Sequence, residues 1–203
     1  MLHILPLPAL RSHESCMVTL MDDKTLLRAL WNLEREALTM VFEQYAPLVY
    51  KYALRTCHSP IEADDVVGEV FSRLVNGLSK GNGPRENLRA YLYQTAYHII
   101  IDNARSRKHY VTQDELLHVI LEKDSTADEA EKQHNLRLLQ AAIYTNLTEE
   151  QKHVIILRFL EGFDLRETAA ILGKDINNIK VIQNRALAKL RESFSSAPIE
   201  ANT

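Results

Sequence analysis

The sequence predicts an all-α protein of two small helical domains joined by a linker, and three observations carry that prediction. Apolar residues recur at spacings of three and four in most windows, and no stretch alternates with period two between turn residues. Helix starts are marked at Ser59-Pro60-Ile61-Glu62, Thr148-Glu149-Glu150-Gln151 and Asp164-Leu165-Arg166-Glu167, each a capping residue followed three positions on by glutamate or glutamine. Between about Tyr110 and Gln133 aromatic and glycine content falls and acids accumulate, most densely polar at Asp124-Ser125-Thr126-Ala127-Asp128.

Taken in order, residues 1–21 form a loosely ordered extension in which Met17 and Met21 are alternative starts. A first helical unit covers 22–108, broken near Thr56 to Pro60 and again across Lys80-Gly81-Asn82-Gly83-Pro84. The acidic linker occupies 109–133, a second helical unit 134–194, and a polar tail 195–203. Proline at the first helical position sharpens the start at Pro60, because its missing N–H would have no intrahelical partner there anyway.

Composition excludes several classes. Of 203 residues, 46% are hydrophobic and 25% charged, which is the balance of a soluble globular chain. No apolar run approaches the roughly 20 residues needed to span a bilayer, so no membrane insertion is expected. Met1 to Leu10 is apolar but holds Pro6 and Pro8 and no basic residue ahead of its apolar run, unlike a secretory signal, so a cytoplasmic location follows. Cys16 and Cys57 are far apart, which fits a reducing compartment. Glycine-rich phosphate loops are missing, no Ser-His-Asp order has a supporting motif, and His3, His13 and Cys16 fit no zinc spacing. Neither an enzyme nor a metal or other cofactor is therefore expected.

The net charge of −3 argues against nonspecific coating of nucleic acid, whose affinity comes mostly from Lys and Arg on phosphates. Cations are instead concentrated in Arg105, Arg107 and Lys108 and again between Lys174 and Arg191, with the acids of Asp114 to Glu131 between. Segregated charge of this kind points to separate partners for separate segments.

Phe163 to Leu190 has the layout of a helix-turn-helix. Ala169 is small where a second helix crosses close to it, Gly173 suits the left-handed turn that ends the first helix, and Ile179 buries the second helix against the first. Asp175 caps that second helix, whose apolar face is Ile176, Ile179, Ile182, Ala186, Leu187 and Leu190. Its other face carries Asn177, Asn178, Lys180, Val181, Asn184 and Arg185. Asparagine reads adenine edges, valine contacts a thymine methyl, and Lys or Arg reaches guanine or phosphate. The alternative for the same pattern is a helical hairpin whose outer face is polar because it is wet.

With these residues in view, the chain resembles the extracytoplasmic-function sigma factors of bacterial RNA polymerase. Ala63-Asp64-Asp65-Val66-Val67-Gly68-Glu69-Val70-Phe71, then Arg89-Ala90-Tyr91-Leu92-Tyr93, Asp102 and Arg105, resemble their region 2. Leu147 to Leu190, with Leu157-Arg158-Phe159 and Lys180, Arg185 and Ala186, resembles their region 4. The resemblance implies a sigma factor that binds core polymerase, at the beta-prime clamp and the beta flap, and directs promoter-specific initiation. It places Asp65, Gly68 and Glu69 on the clamp-facing helix, with Val66, Val67, Val70, Phe71 and Leu74 inward. It assigns minus-ten recognition and melting to the loop from Ser79 to Asn87 and the helix after it. Asn82, Arg85, Tyr91, Arg105, Arg107 and Lys108 are the candidates there, Gly81 and Gly83 supply flexibility, and Tyr91, Tyr93 and Tyr97 offer stacking faces. Minus-thirty-five recognition falls to Asn177, Asn178, Lys180, Val181, Asn184 and Arg185. An anti-sigma factor is an expected partner, and the acidic linker would thread a basic polymerase channel.

The sequence departs from the family at several points. Gly68 stands where glutamine is usual, Tyr91 where tryptophan is common, His98 where asparagine is common, and Asn177 and Asn178 where small or hydroxyl residues often begin the reading helix. A competing reading is a helix-turn-helix transcriptional regulator that does not act as sigma, and a further one is a module whose two helical blocks bind only proteins. The first block separates the main rivals: a regulator would carry a ligand or receiver domain there.

Overall fold

The computed structural model describes residues 23–107, 138–139 and 141–195, and among them every regular element is a helix. Helices α1 (Asp23–Trp31), α2 (Arg35–Cys57), α3 (Pro60–Ser79) and α4 (Leu88–Arg107) make the first half. A helical segment at 141–146 leads to α5 (Glu149–Ile155), which runs on as a π-helical turn over Ile156–Leu160, then α6 (Leu165–Leu172) and α7 (Ile176–Ser195). The Lys108 assignment, the Arg107 side chain, the acidic linker and both chain ends lie outside the described residues.

Both expected breaks of the first half are present. His58, at φ 62°, closes α2 with its N–H on the Leu54 carbonyl, and the Ser59 hydroxyl accepts the Glu62 N–H to start α3. A break between α1 and α2, where Leu33 takes φ 55°, has no glycine or proline to announce it. Both capping boxes of the second half, at Thr148 with Gln151 and at Asp164 with Glu167, form in full, each satisfying two N–H groups reciprocally.

Val41, Val49 and Tyr52 of α2, Val66, Val70 and Leu74 of α3, and Leu92, Tyr93 and Ala96 of α4 fill the centre of the first half. The inward stripe read on α3 faces this core, with Val67 half-buried at its edge. The same apolar cluster continues without interruption into Val154, Leu157, Phe163, Ala169, Ile171 and Ile179 of the second half. A smaller cluster of Ile143, Leu147, Ile155, Ala186 and Leu190 ties α7 to the segment before α5.

Candidate nucleic-acid interface

The helix-turn-helix is built as its residues dictate. Gly173, at φ 62°, closes α6 in the left-handed conformation that a side chain would strain. The Lys174 N–H then bonds the Ala169 carbonyl at 2.9 Å, and Ala169 is buried where α7 crosses. Asp175 Oδ1 accepts the Asn177 N–H at 2.8 Å, capping α7. Ile179, Ile182, Ala186 and Leu190 are buried, while Ile176 and Leu187 are half-buried. Arg158 adds a brace, donating Nε to Gln183 Oε1 at 3.0 Å and a guanidinium N–H to the Phe163 carbonyl, so the π-helical turn and α7 are fixed to one another.

All six candidate reading residues, Asn177, Asn178, Lys180, Val181, Asn184 and Arg185, are exposed on one face of α7. Val181 leaves 45% of its surface in water, an apolar group set among amides and cations. Such a face can offer bidentate amide bonds, a methyl contact and phosphate neutralisation at once.

The second candidate surface differs in kind. The loop after α3, α4 and α6 together line an open groove of about 380 Å³ that includes Asn82, Arg85, Tyr91, Gln94, Ala170 and Ile171. Asn82 and Arg85 are exposed and Tyr91 is half-buried. The loop's glycines serve shape rather than the expected flexibility. A Cβ on Gly83 would meet Leu78 Cδ2 at 2.6 Å, Gly81 takes φ 77°, and Trp31 Nε1 donates to the Pro84 carbonyl at 2.9 Å. Asn87 Oδ1 accepts the Ala90 N–H at 3.0 Å and starts α4. Of the three tyrosines, Tyr93 is fully buried and Tyr97 packs edge-on to His153 at 4.9 Å, so Tyr93 is core and not a stacking platform. Tyr91 keeps a ring beside the groove, its hydroxyl 3.2 Å from the position of a Cβ on Gly77. Arg105 is exposed near Asp102, at 3.8 Å.

Nearer the C-terminal end of α4, Asp65, Glu69, Arg73, Ile99, Asp102 and Asn103 line a polar groove of about 470 Å³. Asp65, Gly68 and Glu69 are exposed, and Glu69 accepts from Arg73 Nε at 2.7 Å, so the groove presents less negative charge than its acids alone imply. Nothing lies within 4 Å of a Cβ on Gly68, so its lack of a side chain leaves open surface.

The residues that the sequence reading missed sit between the halves. The Glu161 side chain, only 6% exposed, pairs with Arg55 and accepts from the Tyr93 hydroxyl at 2.6 Å, while its main-chain carbonyl accepts from Arg89. Arg89 also lies over the Phe163 ring at 4.1 Å. Tyr52 and His153 share a buried hydrogen bond at 2.8 Å. Burial pushes the His153 pKa down to about 4, with Glu149 pulling it up and Lys152 pushing it further down. Burial likewise raises both Tyr52 and Tyr93, the latter aided by its bond to Glu161. No local signal in the sequence marks Glu161, because its burial exists only once the two halves are packed together.

Known proteins bring the two surfaces under one description. The family model of Sigma-70 region 2 matches residues 41–110, and that of Sigma-70 region 4 matches 145–192. ECF RNA polymerase sigma factor BldN of Streptomyces coelicolor is 29% identical over 160 residues, covering 77% of this chain and 60% of its own length. ECF RNA polymerase sigma factor SigX of Bacillus subtilis is 27% identical over 168 residues, 77% of this chain and 83% of its own. In fold, the chain is similar to the sigma factor RpoE of Bartonella quintana, solved with the anti-sigma factor NepR, at a TM-score of 0.63 and 20% identity over 79% of this chain and 98% of that one. With an exposed amide-and-cation face on α7 inside the region 4 match and a loop-and-helix groove beside the region 2 helices, in that family's order along the chain, the protein belongs to the sigma-70 family of RNA polymerase sigma factors, among the extracytoplasmic-function members.

Proposed function

We propose that this chain is an alternative sigma factor that binds core RNA polymerase and directs promoter-specific initiation. The single observation that carries the reading is the pairing, in one chain, of a free amide-and-cation face on α7 with a second surface shaped by the region 2 match. Asn177, Asn178, Lys180, Val181, Asn184 and Arg185 read the minus-thirty-five element. Asn82, Arg85 and Tyr91, followed by Arg105, Arg107 and Lys108, serve minus-ten recognition and melting, the groove residues taking bases and the basic end of α4 taking phosphates. Asp65, Gly68 and Glu69 face the beta-prime clamp, and the region 4 half meets the beta flap.

The division of labour follows the division of the chain into a unit at 22–108 and a unit at 134–194, with 109–133 as tether. Tethering lets two weak readers act together, because the second engages at the effective concentration that the first sets. Work in the cytoplasm follows from that partner, and among the described residues no helix is long and apolar enough to cross a membrane. An anti-sigma partner is supported by the likeness to a sigma factor solved with one. The region 2 match also weighs against a helix-turn-helix regulator, which has no use for a clamp-facing helix. Purified chain added to core polymerase and genomic DNA is expected to give specific transcripts that core alone does not. Failure to bind core would overturn the sigma reading and leave the DNA reader standing.

A further inference from the structure

We propose that Trp31, which lies outside both stretches matched by the sigma-70 models, is a positioning residue for promoter melting. It holds the loop between α3 and α4 in the shape that presents Asn82 and Arg85. The inference rests on the sigma reading, which gives that loop its task. Trp31 is the chain's one tryptophan and the last residue of α1, and the turn after it sets its direction. The Glu34 N–H bonds the Ala29 carbonyl at 3.1 Å and the Leu33 N–H the Leu30 carbonyl at 2.9 Å, the paired bonds of a Schellman ending. Glycine normally takes the left-handed position of that motif, but here Leu33 holds it at φ 55°, with 41% of its surface in water. A side chain strains that conformation, and Leu33 offsets little of the strain by burial. What the turn secures is the stretch before it, with Leu26, Ala29 and Leu30 in the core and the Trp31 ring half-buried against it.

From that edge of the core the indole reaches the loop. Its Nε1 donates to the Pro84 carbonyl at 2.9 Å, across 53 residues of sequence. Proline has no N–H, so this carbonyl is the one hydrogen-bonding group that Pro84 owns, and the residue itself is buried. Asn82 before it and Arg85 after it are exposed. A buried, bonded centre with exposed flanks is a mount for those two side chains. The start of the loop is fixed to α3: the Asn82 N–H bonds the Gly77 carbonyl at 2.8 Å, the Gly81 N–H bonds the Leu78 carbonyl at 3.2 Å, and Leu78 fills the space that a Gly83 side chain would need. Trp31 reaches the loop from a different element, so the placing of Asn82 and Arg85 beside the groove depends on α1. Packing alone would accept another aromatic ring at this position, whereas the bond requires the N–H. A loop ordered before DNA arrives avoids the ordering cost at the moment of binding, and a loop released from Pro84 engages only in the fraction of chains that hold the right shape.

Because the tryptophan is single, the bond can be removed with the shape of the ring kept. In a full-length chain made with benzothienylalanine in place of tryptophan, sulfur replaces the indole N–H. The chain is bound to core polymerase at saturation on a promoter found with the wild type, and permanganate reactivity of the unpaired thymines is read. Melting is expected to fall about threefold to tenfold, the worth of one neutral hydrogen bond. Core affinity and minus-thirty-five duplex binding should keep their wild-type values, a split that a general loss of folding would not give. Trp31→Phe should reproduce the defect, and 5-fluorotryptophan, which retains the N–H, should not. Wild-type melting by the benzothienylalanine chain would overturn the proposal, as would an equal loss of core binding. Hydrogen exchange of the free chain, followed by NMR, tests the hold on the loop without polymerase. The Gly81 and Asn82 amides should exchange faster once the N–H is gone, and unchanged exchange would sink the idea. If those amides respond but the wild-type chain gives no transcript with core polymerase, the sigma reading fails and the hold of Trp31 on the loop stands.

Discussion

The two candidate surfaces are built under opposite constraints. The face of α7 is complete within its own half: the Gly173 turn, the Asp175 cap and the Arg158 brace fix it, and its six candidate side chains stand in water. The groove beside α4 is conditional, because one of its walls, Ala170 and Ile171, belongs to the other half. A surface whose geometry comes from one short stretch needs nothing from the rest of the chain. One that shares a wall with a distant segment takes its shape from both halves.

The hardest way to break this comparison is to remove the reader. Ile179 is fully buried where α7 meets α6, and Ile179→Ala should cost about 2–5 kcal/mol through lost burial and the cavity left behind. Thermal unfolding should show the loss, and binding of a minus-thirty-five duplex should fall with it, while the Glu161 contacts survive in the folded fraction.

Acid attacks the other side. His153 stays neutral in the folded chain, its pKa pushed down to about 4 from 6.5 by burial, between Glu149, which raises it, and Lys152, which lowers it. As pH falls below 6.5 the unfolded chain takes up a proton first, so the stability held by neutral His153 is full above that pH. It is lost as pH falls toward 4, amounting to about 3 kcal/mol. Denaturant titrations across that window should show the loss in the wild type and a flatter dependence in His153→Gln.

Base recognition should respond more gently. Asn178→Ala and Arg185→Ala are each expected to cost about 1–3 kcal/mol of discrimination between cognate and altered minus-thirty-five duplexes. Competition binding at fixed salt measures it, and neither change should alter the compactness of the free chain. Smallest of all, Gly68→Ala should stabilise α3 by about 1 kcal/mol, since the added Cβ meets nothing within 4 Å. A rise in melting temperature with both DNA surfaces unaffected would confirm that Gly68 marks open surface.

Legibility in the sequence followed contact range. Gly173, Ala169, Ile179 and the two capping boxes act within a few residues of themselves, so spacing and residue type sufficed to place the helix-turn-helix and its outer face. The contacts between the halves join residues 68 to 106 positions apart, such as Tyr93 with Glu161 and Arg55 with Glu161, and no local pattern encodes such a pairing. Arg89 and Tyr93 lay inside the motif that suggested region 2, yet their work is on Glu161 and Phe163. The glycine loop misled for the same reason. Gly81 and Gly83 look like flexibility in sequence, and only Trp31, 53 residues from Pro84, and Leu78 reveal a fixed shape.

The account turns on whether the chain works with polymerase, and transcription from genomic DNA reports that directly. Purified chain added to core polymerase is expected to give promoter-specific transcripts that core alone does not, and Arg185→Ala is expected to weaken them. Transcripts that are the same with and without the chain would contradict it.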